Sequence, residues 1–348
     1  MTVRTDTPPG PWLLVVGMHR SGTSAVTGSL GAMGFHVATS TDRMDWPESN
    51  PEHWESLSLA LYNEDLLVRL HGGWNAPPDL LEGWEDSPEI RTAPEPAVAL
   101  SSAYPGSGPS VWKDPRLCLL LPYWRKVLPA PIAAVLVWRS PLAVARSLQR
   151  RDQLSIAEGL ALWERYNRSA IAGLRHVDTY VVDYESVVDD PSRSVGELKG
   201  WLGSLDQFAA EEANWDVDGA TAAIVGELHH QPGVHRGNDD TLLLPEQKDL
   251  VEYLSGIAGG HRPLLAQSPG NESPWTTSLL RLRLSNPNRE FDAVKEELRL
   301  ARDELRLTRA EAIRDLANMR ASTSWRVTRP LRSVVSTLEG MRSNPPDR

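Results

Sequence analysis

The sequence of 348 residues is poor in cysteine, in positive charge and in long apolar runs. Its single cysteine, Cys118, excludes an internal disulfide and a cysteine-based zinc site, and it suits a reducing cytosol. The net charge of −10 argues against a general nucleic-acid binder, because that function needs clustered Lys and Arg. Any site for an anionic ligand must therefore be local.

No apolar run has the length of a membrane-spanning helix. The longest mainly apolar run, residues 130–138, is far shorter than the roughly 20 residues that a span requires. The apolar stretch before Gly17 is too short for the core of a signal peptide. We therefore expect a cytoplasmic protein that is soluble or rests on the inner face of a membrane.

A further absence lies in the segment GMHRSGTSAV, residues 17–26, which follows the apolar run 13–16. The spacing from Gly17 to Gly22 is that of a nucleotide-binding P-loop, but Thr23 stands where the phosphate-binding lysine is expected. A strand, a loop and a helix in this order predict an anion site at the helix N-terminus. Its expected donors are the charge of Arg20, the hydroxyls of Thr23 and Ser24, and the N–H groups of Gly22, Thr23 and Ser24.

Apolar runs alternate with helical periodicities, which predicts an α/β fold with a P-loop-like central parallel sheet flanked by helices. The predicted strands are 12–16, 132–138 and 179–182, and the predicted helices are 24–33, 142–151 and 156–174. Residues 72–110 are rich in Pro, Gly and Ser and predict an irregular insertion over the sheet.

The pattern changes towards the end of the sequence. Residues 1–265 are predicted to form the α/β domain, and residues 266–289 a linker that contains Pro and Asn. A heptad pattern over 290–320 predicts a coiled coil that joins two copies of the chain, with a single amphipathic helix packed on the domain as the alternative. Residues 321–348 set arginines beside Trp325 and apolar residues, which predicts a basic amphipathic tail at a membrane surface or a solvated tail.

A second candidate anion site follows the predicted strand 132–138, in the segment RSPLAVARSLQRRD. Arg139 stands at the strand end, Ser140 is the predicted N-cap with Pro141 at the first helical position, and Ser147 follows two turns later. Arg139 and Ser147 are expected to converge on one oxyanion at the carboxyl edge of the sheet. Two anion sites predict a doubly phosphorylated ligand; an arginine paired with a surface carboxylate is the alternative.

These segments resemble the sulfotransferases that use 3′-phosphoadenosine-5′-phosphosulfate (PAPS). HRSGTS resembles their 5′-phosphosulfate loop, and the Arg-x-Pro segment with its later serine resembles their 3′-phosphate motif. VVDYESVVDDP, residues 181–191, is similar to their Y-E-D-L-x-x-D-P stretch, whose tyrosine lies near the adenine. The resemblance covers about residues 12–240, and it implies PAPS as co-substrate. Because PAPS has no γ-phosphate and needs no magnesium bridge, a Walker lysine would have nothing to hold.

The resemblance also implies which residues bind the nucleotide. A late basic loop of the family closes on the 3′-phosphate, and Arg236 with Gly237 is the short match to it. The residues implied to bind PAPS are Arg20, Ser21, Gly22, Thr23, Ser24, Arg139, Ser147, Tyr184 and Arg236.

Catalysis of sulfuryl transfer needs a base for the acceptor hydroxyl. The family's NPxGxWE pattern appears at residues 50–55, with His53 in place of the glycine. Glu55 matches the family's glutamate and is the first candidate for the base. Glu48 and His53 are the alternatives.

Positive charge near the departing nucleotide is the other requirement. VWKDPRL, residues 111–117, supplies Lys113 and Arg116 around a turn at Asp114. Lys113 is a better candidate than Arg116, because a flexible ammonium can follow the bridging oxygen. Arg20 is the other candidate for this role. Asp114 alternatively pairs with Arg116 and fixes the turn.

No metal site is predicted. In LHHQPGVHRGN, residues 228–238, His229 and His230 are adjacent and cannot share one helix face, and no carboxylate follows at ligand spacing.

The predicted function is transfer of the sulfuryl group from PAPS to a hydroxyl of a carbohydrate or glycolipid. The tail segment STSWRVTRPLR resembles the ends of bacterial surface-polysaccharide enzymes, which favours a carbohydrate acceptor. A P-loop kinase or other nucleotide phosphotransferase, and a non-catalytic nucleotide-binding scaffold, are the alternatives.

Overall fold

The computed structural model describes residues 10–285 apart from residues 41, 44–53, 94, 97–99, 101–102, 105–107, 129–130, 231–239 and 266–268, and it also describes Met319. The chain divides into two units, Met1–Glu297 and Leu298–Arg348. The described residues other than Met319 belong to the first unit.

Five strands among these residues form one sheet in the order β2-β1-β3-β4-β5. The strands are β1 Trp12–Val16, β2 Ser110–Lys113, β3 Ile132–Trp138, β4 Asp178–Asp183 and β5 Gly259–His261. β1 pairs in parallel with β2 and with β3, and β3 pairs in parallel with β4. Only β5, at one edge, is antiparallel to its neighbour. The α/β fold with a central, mostly parallel sheet is thus confirmed.

Helices fill the connections between the strands. They are α1 Thr23–Met33, α2 Leu57–Arg69, α3 Pro88–Arg91, α4 Leu117–Val127, α5 Pro141–Asp152, α6 Ile156–Leu174, α7 Tyr184–Asp189, α8 Pro191–Gly203, α9 Asp206–Ala209, α10 Val217–His230, α11 Pro245–Gly256 and α12 Pro274–Leu284. Short 3₁₀ turns lie at Trp84–Asp86, Glu212–Asn214 and Asp240–Leu242.

Both faces of the sheet are buried, because successive residues of a strand point to opposite faces. On one face, Leu13 and Val15 pack in a core with side chains of α1, α8 and α10. On the other face, Leu14 and Val16 pack with side chains of α2, α4, α6, α11 and α12. The body is therefore a three-layer structure in which the carboxyl ends of β1, β2, β3 and β4 meet at one edge.

The long apolar and periodic segments lie where they were predicted. The predicted strands 12–16 and 132–138 coincide with β1 and β3, and the predicted helix 156–174 coincides with α6. β2 and β5 were not predicted. Within residues 72–110, the described part contains α3, a 3₁₀ turn and the first residue of β2.

Within residues 266–289, which the sequence predicts as a linker, the structure has the helix α12. Ser273 caps this helix by accepting a hydrogen bond from the Thr276 amide. The buried Glu164 carboxylate of α6 accepts from Ser273 N at 2.9 Å and from Thr276 Oγ1 at 2.7 Å. The Pro- and Asn-containing segment thus starts a helix that belongs to the body, with Pro274 at the first helical position.

The predicted coiled coil over 290–320 and the basic tail over 321–348 lie outside the described residues, apart from Met319. None of the described helices combines the length and the apolar composition that crossing a bilayer requires.

Candidate active site

The candidate site is formed at the edge of the sheet where the parallel strands end. The loop after β1 carries the P-loop-like sequence, Lys113 ends β2, Arg139 follows β3, and Tyr184 follows β4. In open α/β sheets, ligands bind at this edge, where the chain connections diverge. The topology therefore brings together motifs that lie up to about 160 residues apart in the sequence.

Two glycines give the loop between β1 and α1 its shape. A Cβ atom on Gly17 would lie 2.4 Å from the carbonyl oxygen of Val137 in β3. Gly22 is the N-cap of α1 with φ 89°, and a Cβ there would lie 2.0 Å from the ring of Tyr184. Only glycine fits such close approaches. The loop is thus held against β3 on one side and against Tyr184 on the other.

The loop presents polar groups at the start of α1. The first amides of a helix have no intrahelical acceptor, and α1 begins at Thr23. The hydroxyl of Ser21 is buried without a hydrogen-bond partner in the described part of the chain. A buried, unpaired hydroxyl beside a helix N-terminus fits a bound anion, because it lacks only an acceptor.

Arg20 turns away from the loop towards α5. Its backbone φ is 71°, an uncommon value for a residue with a side chain, and its Nε donates to Ser147 Oγ at 2.9 Å. Burial, followed by the charges of Arg151, Arg139 and others in this cluster, lowers the pKa of Arg20 to about 10. A buried arginine whose pKa is lowered by burial and by neighbouring positive charges marks a place where an anion would be stabilised.

Arg139 is buried at the end of β3 and reaches over the same loop. Its Nη1 donates to the carbonyl oxygen of Arg20 at 3.3 Å, and its guanidinium lies 5.2 Å from the ring centre of Tyr184. Its own carbonyl oxygen accepts from Trp163 Nε1 at 2.9 Å. Arg139 and Ser147, which the sequence predicts to meet at one oxyanion, are connected here through Arg20.

Lys113 joins the loop between β1 and α1 to Glu55, the first candidate for the base. Its Nζ donates to Ser24 Oγ at 3.2 Å and to Glu55 Oε1 at 2.5 Å. The side chains of Lys113 and Glu55 are only 3% and 10% exposed. Such a pair cannot be treated as a surface ion pair, since each charge would be costly to bury without the other.

A buried polar network fixes the turn after Lys113. Asp114 accepts from Arg116 N at 2.8 Å and Arg116 Nη1 at 3.2 Å, and from Asn63 Nδ2 of α2 at 2.9 Å. Arg116 Nε also donates to Glu64 at 2.6 Å. Asp114 therefore takes the turn-fixing role, and Arg116 points into the network rather than at the loop. Burial above all, and then the charge of Glu55, raise the pKa of Asp114, while Arg116 and Asn63 oppose the shift.

The segment that carries Glu55 is anchored on both sides. Ser56 caps α2, and the Asp42 carboxylate accepts from the hydroxyls of Ser56 and Ser58. The Asp42 carbonyl oxygen accepts from Leu57 N at 2.6 Å. These bonds hold the start of α2, so Glu55 has a defined place opposite Lys113.

The remaining predicted residues lie outside the described part of the chain. These are Glu48 and His53, the alternative bases, and Arg236 with Gly237 of the late basic loop. Among the described residues, no cluster of three or more His, Cys, Asp or Glu side chains has an arrangement that would hold a metal ion.

The structure adds residues that the sequence reasoning missed. Glu185 lies 3.7 Å from Arg139, Arg151 contributes to the positive cluster, and Asn63 supports the turn after Lys113. Glu185 is the glutamate of the YES segment beside Tyr184, so its place in the motif was the available signal. Asn63 carries no such signal, because only the packing of α2 against the β2 turn brings it there.

No protein-family model matches the sequence, and no curated protein matches it. Similar solved structures include a sulfotransferase from Mycobacterium tuberculosis, at 16% identity over 64% of this chain and 78% of that chain, with a TM-score of 0.38. The sulfotransferase domain of the Synechococcus PCC 7002 olefin synthase has 16% identity over 79% and 95% of the two chains, with a TM-score of 0.37. The sulfotransferase domain from the curacin biosynthetic pathway has 12% identity over 80% and 98%, again with a TM-score of 0.37.

All three are sulfotransferases, the family that the sequence motifs resemble.

Proposed function

We propose that this protein is a sulfotransferase that moves the sulfuryl group of PAPS to a hydroxyl of a carbohydrate or glycolipid. One observation carries the proposal. Lys113 bridges Glu55, a candidate base, and Ser24 of a P-loop-like turn, while Arg20 and Arg139 lie together at the same edge of the sheet. A base, a phosphate cradle and clustered cations are what a transfer from an anionic nucleotide to a hydroxyl requires.

The donor set fits a nucleotide with phosphates at two places. The loop supplies the amides that begin α1 and the unpaired hydroxyl of Ser21, which suit the 5′ end. Arg139 with Ser147 and Arg20 suits a second phosphate, since arginine forks match phosphate oxygens. The close approach of the Tyr184 ring to Gly22 supports the assignment of this ring to the adenine side of the nucleotide.

Lys113 supplies the loop with a positive charge from outside the loop's own sequence. It reaches Ser24 from the neighbouring strand β2, so an ammonium stands beside the loop although Thr23 occupies the Walker position. A lysine that also contacts Glu55 serves both the phosphate side and the acceptor side of the site. This supports a transfer in which the Lys113 ammonium balances the negative charge of the nucleotide and that of the Glu55 carboxylate.

In the proposed reaction, the acceptor oxygen attacks sulfur in line with the bridging oxygen. The new S–O bond forms as the bond to the 5′-phosphate breaks, and the electron pair stays on the departing nucleotide. Glu55 takes the proton of the acceptor hydroxyl. Lys113 stabilises the charge that develops on the bridging oxygen, while Arg20, which donates to Ser147, belongs with the second phosphate.

The finer assignments rest on the sequence. The carbohydrate or glycolipid acceptor, the homodimer through residues 290–320, and the reversible contact of residues 321–348 with the cytoplasmic face of a membrane are parts of this proposal. Their support is the heptad pattern, the basic tail with Trp325, and the resemblance of that tail to polysaccharide enzymes.

A thermal-shift panel of the desulfated product 3′-phosphoadenosine-5′-phosphate (PAP), PAPS, ATP, and ATP with magnesium tests the proposal. We expect PAP to stabilise the protein without magnesium, by about 2.7 kcal/mol at a hundredfold excess over Kd, and ATP to do much less. Transfer of labelled sulfate from PAPS to a panel of glycosides then tests the acceptor class. A magnesium-dependent ATP shift without a PAP shift would instead indicate a phosphotransferase, and PAP binding without transfer a scaffold.

A further inference from the structure

Glu185 lies where Arg139 and the N-terminus of α5 come together. Its Oε1 is 3.7 Å from Arg139 Nε, and both of its carboxylate oxygens are 3.4 Å from Ser140 N. Ser140 is the N-cap of α5, and its own side chain makes no capping bond. The Glu185 carboxyl therefore occupies a position that favours negative charge at a helix N-terminus.

The ion pair between Arg139 and Glu185 is a long one. A separation of 3.7 Å exceeds the range of a hydrogen bond, and Arg139 Nε makes no hydrogen bond among the described residues. Arg139 is nevertheless 91% buried, with its guanidinium over Tyr184 and one bond to the Arg20 carbonyl oxygen. A buried guanidinium with an unused donor gains more from a phosphate at hydrogen-bond distance than from this carboxyl.

The surroundings of Glu185 disfavour the ionised form of its carboxyl group. The groups that face it are Asp183, whose carboxylate accepts from the Glu185 amide at 3.0 Å, and Arg139. Burial first, and then the hydrogen bond and charge of Asp183, raise the pKa of Glu185 to about 7, while Arg139 lowers it. A phosphate brought to Arg139 would add a second negative neighbour and would raise this pKa further.

We propose that Glu185 is a positioning residue that holds Arg139 over the loop and yields it to the 3′-phosphate of the nucleotide, taking up a proton as it does so. The inference rests on the proposed function, because it assigns the second phosphate to Arg139. It adds that the affinity for 3′-phosphorylated nucleotides falls as the pH rises. The ionised carboxylate competes for Arg139 and repels the phosphate, whereas the neutral acid does neither.

Isothermal titration of PAP against the wild type and Glu185→Gln, at pH 5.5 and pH 8, tests this exchange. With a pKa of about 7 for Glu185, the variant should bind PAP about tenfold more tightly than the wild type at pH 8, and equally at pH 5.5. Titration of the phosphate itself cancels in this comparison, because both proteins bind the same ligand. Adenosine 5′-phosphate, which lacks the 3′-phosphate, should show no difference between the two proteins.

A second measurement needs no variant. Titrations at pH 8 in two buffers of different ionisation enthalpy count the protons exchanged on binding, and the wild type should take up protons with PAP but not with adenosine 5′-phosphate. Glu197→Gln is the matched control, since Glu197 pairs with Arg193 on the exposed side of α8. Equal pH profiles for the wild type and Glu185→Gln, or no proton uptake, would overturn the exchange. If PAP binds neither protein at either pH, the proposed function fails instead.

Discussion

At the scale of single residues, Lys113 contacts both Ser24 of the loop and Glu55, the candidate base. These contacts decide which substitutions are informative. Replacing Lys113 would leave the buried Glu55 carboxylate without its cation, and the resulting instability would hide any catalytic effect. Glu55→Gln is a cleaner change, because the amide oxygen can still accept from Lys113 while the amide cannot take a proton. The two residues are thus equally central to the proposal but not equally useful as probes.

We expect Glu55→Gln to keep its PAP affinity and to lower turnover by about 10²- to 10⁴-fold, the usual contribution of a general base. The measurement is transfer of labelled sulfate from PAPS to whichever glycoside the wild type accepts. Glu272→Gln is the matched control, because the Glu272 carboxylate accepts from Arg165 at 2.5 Å and is 15% exposed, yet lies outside the candidate site. Turnover close to that of the wild type would exclude Glu55 and turn attention to Glu48 and His53.

At the scale of elements, the strands that the sequence predicts are those with clear apolar runs, whereas β2 is buried along its length but was not predicted. β1 and β3 are unbroken apolar runs, so their bounds follow from composition alone. β2 is four residues long and ends in a lysine, and β5 is Gly259–His261 with no apolar pattern. These two strands form because a neighbouring strand offers them hydrogen bonds. The pattern of residues along the strand itself does not contain that information.

The candidate site could also be predicted only in part from the sequence. The loop glycines and Arg139 follow strands that the local sequence predicts, whereas Lys113 ends β2, which was not predicted. Their pairings do not follow from local sequence, because Arg20 and Ser147 are 127 positions apart and Glu55 and Lys113 are 58 apart. The sequence could therefore name the participants, while the contacts among them depend on sheet order and helix packing.

Gly22 shows how an element boundary depends on one residue. A Cβ there would meet the Tyr184 ring at 2.0 Å, and φ is 89°. We expect Gly22→Ala to move Tyr184 or the loop, and to weaken PAP binding at least about tenfold through lost charged hydrogen bonds. Titration of PAP measures the affinity, and thermal unfolding measures the stability.

Gly83→Ala separates backbone strain from the clash. Gly83 has φ 79°, but a Cβ there would meet nothing within 4 Å. This variant should lose about 1 to 2 kcal/mol of stability from left-handed backbone strain alone, with PAP affinity unchanged. If Gly22→Ala binds PAP as well as Gly83→Ala does, the loop does not hold the nucleotide.

At the scale of the whole molecule, α12 extends the body beyond the point where the sequence pattern ends it. Glu164 of α6 is fully buried, and its carboxylate accepts bonds from Arg168 and Gln247 as well as from Ser273 and Thr276. A buried carboxylate stabilises a fold only when its hydrogen bonds are complete. The segment from Ser273 onwards therefore completes the core around α6.

Two truncations test where the body ends. A chain that stops after residue 285 keeps α12, whereas one that stops after residue 265 loses the two bonds from Ser273 and Thr276 to Glu164. Two hydrogen bonds to a charged group are worth about 3 to 6 kcal/mol together, so the shorter chain should unfold at a clearly lower temperature and lose PAP binding with its fold.

The longer chain should bind PAP as the full chain does. It should also be monomeric by light scattering, because it lacks the predicted heptads. Equal unfolding temperatures for the two truncated chains would show that α12 is dispensable, and a dimer that survives the longer truncation would place self-association in the body.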